Sequence, residues 1–463
     1  MKTLPLECYY IIFNNLHHDH KSLFSCALVN RQWCRIIIPI LWSEPEHYFK
    51  DQRLISILLL TLNTEEKALL IPFKIIFPNN PKPLFEYTSY ITSVSSHLSE
   101  GVKNWLGYKN ERELKYAVES SFVAMFLRTS KNLKHLNLNE VICNQIVFEN
   151  LYKNTTVTSM NLHIGGFKSK VMDILVKFFN KNFTLAALNL TSNQHNYEGV
   201  KILLKTLNKN TVLNSLDLYN NMIGTEGGKE LAKFLCKNTT LTSLSLVSNN
   251  LRSEGGKVLA DALCNNTTLT SLNLGWNNLG SEGGKALADS LYKNTTLTSL
   301  NLYWNNLGPE GGKAFADALC KNTTLTSLNL LSNNLGSEGG KALANALCKN
   351  STLTFLDLGW NKIGSEGGKA LAGALCMNTT LSSLDISDND IGSKEGKALA
   401  VALCMNTSLT TLNLSFNNLE SEGGKALAEA LLKNTTLAYL NIRSIGVKLL
   451  NLKLYSQNIE IVQ

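Results

Sequence analysis

From Val157 onward, apolar residues follow one template, L-x-x-L-x-L-x-x-N, which returns every 28 residues. The copies open at Val157, Leu185, Leu213, Leu241, Leu269, Leu297, Leu325, Leu353, Leu381, Leu409 and Leu437, and Leu133 opens a shorter first copy, making twelve. Within each copy the hydrophobic period changes. In residues 297–324, Leu300 and Leu302 alternate with Ser299, Asn301 and Tyr303, as a strand with one buried side requires. Leu307 then points into the core. Phe315, Ala316 and Leu319 follow at i, i+1, i+4 spacing, which predicts a helix with one buried stripe. Pro309 suits its first position and Glu310 complements its N-terminal dipole. One such unit cannot bury its own apolar side, so the copies must stack into an α/β solenoid. Its expected form is a horseshoe, with parallel strands on the concave side and helices on the convex side.

Most of the remaining repeat positions have sufficient structural explanations. The asparagine closing the template (Asn193, Asn221, Asn249, Asn277, Asn305, Asn333, Asn361, Asn389, Asn417) is expected to bond the backbone of neighbouring coils in a buried ladder. Gly312 would let the first helical turn lie close to the coil beneath. Pairs such as Glu282–Lys285 and Glu310–Lys313 lie three apart on the helix surface and contribute about 0.2–0.5 kcal/mol each. The stretch from Gly280 to Ala286 faintly echoes a phosphate-binding loop. Its glycine spacing is one short, however, and Ala286 stands where a Ser or Thr must reach magnesium. Six cysteines (Cys236, Cys264, Cys320, Cys348, Cys376, Cys404) share one register near the helix end. Helices packed ~8–10 Å apart are too distant for disulfides, and Tyr292 interrupts the row, so small buried apolar residues are expected there.

The full pattern, L-x-x-L-x-L-x-x-N-x-L-G-x-E-G-x-x-x-L-A-x-x-L, resembles the ribonuclease-inhibitor-like subclass of leucine-rich repeats. That subclass also occurs in NOD-like receptors and Ran GTPase-activating proteins, so the resemblance implies a fold and leaves function open. The concave face would consist of the third, fifth, seventh and eighth positions of each copy. The third and fifth are mostly Ser or Thr and then Asn or Asp, whereas the seventh and eighth vary. Tyr219, Trp276, Tyr303, Trp304, Trp360 and Phe416 occupy varied positions, and exposed aromatics on a polar face are typical of interface hot spots. The alternative is that each Trp caps its turn against the next repeat. Asp357, Asp385 and Asp388 add an acidic side that suits a basic partner.

The first 45 residues follow a different pattern. Pro5 can start a helix whose apolar face holds Leu6, Tyr9 or Tyr10, Phe13 and Leu16. The turn containing His17, His18 and His20 breaks it, and this spacing is poor for a metal site. A second helix is predicted over about residues 21–28. A third is capped by Asn30 and carries Trp33, Ile36 and Ile37. Three short helices cannot bury this much apolar surface among themselves, which points to a docking module. Leu4-Pro5, Ile11-Ile12-Phe13-x-x-Leu16, the Leu23–Val29 segment, Trp33 and Trp42 together resemble an F-box. The family implies docking onto the Skp-type adaptor of a cullin–RING (SCF) ubiquitin ligase, through Leu4, Pro5, Ile11, Ile12, Phe13, Leu23, Val29 and Trp33.

The resulting division is an F-box over 1–45, a helical linker or N-terminal cap over 46–130, and the solenoid over 131–463. Helices are predicted over residues 54–62 and 111–127, with mostly loop over 72–83. Residues 1–16 lack an apolar signal core, and the longest apolar run, 54–62, is far short of the ~20 residues a membrane span needs. Cytosol or nucleus is therefore expected, and sequons such as Asn238-Thr239-Thr240 are taken to end a helix and start the next strand. The net charge of +8 is spread thinly, at +3 over residues 1–132 (15 basic, 12 acidic) and +5 over the rest (29 basic, 24 acidic). No basic stripe for nucleic acid results. No catalytic residues, metal or cofactor are expected. The function expected is a non-catalytic substrate adaptor of an SCF-type ligase, whose concave face binds a protein. The alternatives are a small-GTPase regulator of the Ran GTPase-activating type and an innate-immune-type sensor. This chain has neither the acidic tail of the former nor the nucleotide-binding module of the latter.

Overall fold

Alternating inward leucines and a shared turn oblige each copy to fold the same way, and in the computed structural model they do. It describes residues 4–77, 83, 85–107, 111–139, 144–163, 169–192, 197–445 and 459–462, the side chains of 46, 47 and 169–172 apart. The chain divides into two compact units, residues 1–193 with 209–213, and residues 194–208 with 214–463.

In the second unit, three-residue strands from Ser215–Asp217 to Tyr439–Asn441 recur at 28-residue intervals and pair in parallel with their sequence neighbours. The register is in phase throughout, with Leu300 opposite Leu272 and Leu328. From Gly224–Leu235 to Glu420–Leu431 a helix follows each turn and packs against its neighbours along the array. Leu300, Leu302, Leu307, Phe315, Ala316 and Leu319 are all buried between the strand and helix layers. A Cβ on Gly312 would sit 2.9 Å from the Cα of Gly339, so the glycine is what allows these two helices to approach.

Two asparagine ladders satisfy the backbone where the chain turns. The Nδ2 of Asn305 donates to the carbonyls of Leu274 (2.8 Å), Leu302 (3.0 Å) and Tyr303 (3.3 Å). Its Oδ1 accepts from the N–H groups of Asn277 (3.0 Å) and Leu279 (3.2 Å) of the preceding coil. This ladder runs through the described residues from Asn221 to Asn417; Asn193 lies outside them. The second ladder is built from the sequon asparagines. Buried Asn322 donates to the carbonyls of Leu291 (2.9 Å) and Asn294 (3.4 Å) and accepts from the N–H groups of Thr324 (3.0 Å) and Leu325 (2.8 Å). A side chain held this way is closed to glycosylation in the folded protein.

The cysteine expectation needs correction. Cys236, Cys320 and Cys404 are exposed, and Cys264, Cys348 and Cys376 are only part-buried. Each follows a buried leucine such as Leu263, and the next step of about 100° around the helix turns the thiol away from the core.

In the first unit, helices α1 (Leu6–Asn14), α2 (His20–Ala27) and α3 (Arg31–Ser43) form a small bundle. Asp19 caps α2 by accepting from the N–H of Ser22 (3.1 Å), and Asn30 caps α3 by accepting from that of Trp33 (2.9 Å). Next come α4 (Gln52–Thr61), α5 (Thr64–Ala68), β1 (Ser93–Val94), α6 (His97–Leu106) and α7 (Arg112–Thr129). They are followed by β2 (His135–Leu138), α8 (Gln145–Lys153), β3 (Ser159–Leu162), α9 (Ser169–Phe179) and β4 (Ala187–Asn189). The four strands pair in parallel in sequence order. Strand β1 lies outside the leucine template because its coil carries two helices before β2. The segment expected as a linker is folded closely. α7 is buried without a break from Ala117 to Leu127, and its Arg128 makes a bidentate pair with buried Glu66 (2.7 and 3.0 Å). The end of α3 joins β1 through the Ser43 carbonyl, which accepts both the N–H and the hydroxyl of Thr92 (2.9 and 2.8 Å). The terminal strand Glu460–Val462, which pairs with Tyr439–Asn441, was also not foreseen. Among the described residues no helix is long and apolar enough to cross a membrane.

Candidate partner-binding surfaces

Two surfaces carry apolar side chains that the fold leaves uncovered. The first is on α1–α3. Its core consists of Phe13, Leu23, Ala27, Ile36 and Ile37, with Tyr9, Leu16 and Trp33 packed against it. Trp33 meets Phe13 edge-on at 5.1 Å and Tyr9 at 5.8 Å. Phe13 and Leu23 are fully inside, so they hold the bundle together and cannot face a partner, contrary to expectation. Trp33 is half-buried in the same cluster. The other residues expected on this surface, Leu4, Pro5, Ile11, Ile12 and Val29, are exposed. Beside them the structure exposes Leu6, Tyr10, Phe24 and Leu28, the last at 72%. Helical phase decides these assignments. Tyr9, Phe13 and Leu16 turn inward, whereas Leu6 and Tyr10, four apart, share the outer side, as do Phe24 and Leu28. Phe24 borders a groove of about 480 Å³ that also touches Trp42, Tyr48 and Ile57.

The second surface is the strand face of the second unit. The eighth position of every coil is held in the left-handed region, with φ between 49° and 58° at Asn220, Ser248, Trp276, Trp304, Ser332, Trp360, Asp388, Phe416 and Ser444. Asparagine tolerates this conformation, but a bulky residue is strained in it. Trp276 (49% exposed), Trp304 (43%) and Trp360 (54%) occupy it nevertheless, as does exposed Phe416. The rings of Trp276 and Trp304 stack at 4.5 Å, 14° from parallel. Trp276 and Trp304 thus lie against one another while all three rings remain open to solvent.

The seventh position is more closed than alternation predicts. Val247, Gly275, Gly359, Ser387 and Ser415 are buried. The ring of Tyr303 lies over Gly275, where a Cβ would come within 2.0 Å of Cε1. Burial, with Tyr219 nearby, pushes the Tyr303 hydroxyl above the usual phenol range. Tyr219 itself is exposed.

Asp357 and Asp385 sit opposite one another on adjacent strands. Burial, and then the charge of Asp385, raise Asp357 to about 6, against the opposing effects of the Gly359 N–H and the Asn329 side chain. Asp385 is well supplied with donors. Its Oδ1 accepts from the Ser387 N–H (2.8 Å) and hydroxyl (2.6 Å), and its Oδ2 from Asn413 Nδ2 (2.6 Å). Asp388 is half-buried at the next eighth position.

Residues 209–232, 237–260, 265–288, 293–316, 321–344, 349–372, 378–400 and 406–428 match the family described as Leucine Rich repeat. These segments coincide with the strand–helix coils of the second unit, which is a leucine-rich-repeat solenoid. No curated protein sequence matches it. Among solved structures it is similar to the leucine-rich-repeat protein LegL7 from Legionella pneumophila, at 26% identity over 55% of this chain and 83% of that one, with a TM-score of 0.40. It is also similar to a chain of the yeast Rad7 and Elc1 complex, at 15% identity over 74% and 83%, with a TM-score of 0.45. A chain of the TLR13–ssRNA13 complex is matched at 19% identity over 68% of this chain but 40% of that one, with a TM-score of 0.41.

Proposed function

We propose that the chain is a non-catalytic substrate receptor, in which α1–α3 dock as an F-box onto the Skp-type adaptor of a cullin–RING ubiquitin ligase. The strand face of the repeats then holds the protein to be modified. One observation supports the docking role above the rest. A bundle with a five-residue core leaves Leu4, Leu6, Tyr10, Ile11, Ile12, Phe24, Leu28 and Val29 exposed. A free-standing fold gains nothing from so much uncovered apolar surface, whereas an obligate partner would cover it. The order of the motif elements along residues 4–42 supports the adaptor as that partner.

Co-purification of the full chain with a recombinant Skp-type adaptor tests this. A stable complex is expected, and Ile11→Glu with Val29→Glu should abolish it without changing the circular dichroism spectrum. If the unaltered chain fails to bind the adaptor, the ligase role is lost.

A further inference from the structure

Charge on the strand face runs against that of the whole chain. The chain carries +8. Yet across the third, fifth, seventh and eighth positions of the coils opening at Leu213 through Leu437, four aspartates (Asp217, Asp357, Asp385, Asp388) face one arginine, Arg443, and no lysine. Three of the four aspartates fall in two adjacent coils, next to exposed Trp360 and Phe416. Asp357 and Asp385 are opposite each other across one strand spacing, about 5 Å. Between Asp357 and Trp360 stands Gly359, which adds no side chain, and Asp385 Oδ1 leans to 3.3 Å from where its Cβ would be. The carboxylates thus sit on adjacent strands next to the turn that carries exposed Trp360, and among the described residues none of Asp357, Asp385 and Asp388 forms an ion pair.

We propose that this end of the strand face takes an extended segment of a protein partner bearing a lysine or arginine, whose cation lies between Asp357 and Asp385 and whose stem lies on Trp360. This rests on the strand face being the partner-binding surface. A cation at this point relieves the repulsion between two paired carboxylates, and the indole adds a cation–π contact and covers the aliphatic stem. Burial, and after it the charge of Asp385, raise the proton affinity of Asp357, and a bound cation would offset the second of these. The left-handed Trp360 fits the same picture, because the position accepts serine at Ser248 and Ser332. An acidic segment or a nucleic-acid phosphate would meet like charge here.

The test is to pan short randomised displayed peptides on the full chain and then measure affinity for the selected peptides by fluorescence polarisation. Enrichment of Lys or Arg at one position is expected. Asp357→Asn with Asp385→Asn should weaken binding about tenfold or more, and Trp360→Ser should weaken it similarly, with unchanged circular dichroism. Selection of peptides without a basic residue, or displacement by a single-stranded RNA oligomer at equal potency, would overturn the proposal. If selected peptides depend on Trp276 and Trp304 but ignore the aspartate substitutions, the strand face remains a binding surface and the basic-segment inference fails. If they depend on neither, both fail.

Discussion

The repeat array and the three-helix bundle handle apolar surface in opposite ways. In the array, each coil hides its leucines against the coils on either side, and the two asparagine ladders satisfy the turns that close them. Four of its exposed aromatics, Trp276, Trp304, Trp360 and Phe416, stand in a backbone conformation that disfavours them. The bundle builds its own core from α1–α3 alone. It buries a handful of side chains and exposes more apolar residues than it hides. The comparison teaches that exposed hydrophobics mean different things in the two places. In the bundle they surround a core of five residues, whereas in the array they are additions to a core already complete.

Substitutions can break or sharpen this contrast. The largest effect is expected inside the bundle, where Phe13→Ala should cost about 3–5 kcal/mol of local stability, read by hydrogen exchange of α1–α3. Ile11→Ser, two residues earlier but exposed, should leave that exchange nearly unchanged. Almost as large an effect is expected in the array. Asn333→Ala removes donations to the carbonyls of Leu302, Leu330 and Leu331 and leaves the Asn305 N–H without its acceptor. A loss of about 3 kcal/mol in urea denaturation should follow.

Asp357→Asn should have a smaller effect of opposite sign. Because its folded-state pKa, about 6, lies above the ordinary carboxylate value of 3.8, the native chain holds the proton more tightly than the unfolded one. The stability from this group is therefore fully present below about pH 4 and is lost as pH rises through about 6. Replacing it with asparagine, the residue already at Asn301 and Asn329, should raise stability at pH 7 by about 2 kcal/mol and flatten the pH profile across that window. The smallest effect belongs to Trp360→Asn, which should raise stability by at most about 1 kcal/mol by relieving the left-handed backbone. A loss of stability there would mean that the tryptophan is structural and the contrast between bundle and array is overdrawn.

Much of the molecule was legible in order along the chain. The 28-residue template located the strands, the buried leucines, the helices and the inner asparagine row. The cap at Asn30 and the positions of α1–α3 followed from local rules. Two strands escaped because they do not obey the template. Strand β1 precedes a coil with two helices, and Glu460–Val462 lacks the leucine spacing. The cysteines were misplaced by treating a small apolar residue near a helix end as buried, when the phase of the helix turns it outward. Phe13 and Leu23 were expected outside because motif order identifies a module without saying which side of each helix faces its own core.

Spacing and composition alone determined that this is a stacked strand–helix repeat preceded by an all-helical region. Periodicity is a local property, and burial of a regular leucine pattern admits few other solutions. Only the tertiary structure decided which aromatic residues remain uncovered, that Tyr303 lies over Gly275, and that Asp357 and Asp385 share one strand spacing. Those facts depend on how neighbouring coils fill the space above one another, and residues 28 apart in sequence meet only when the coils stack.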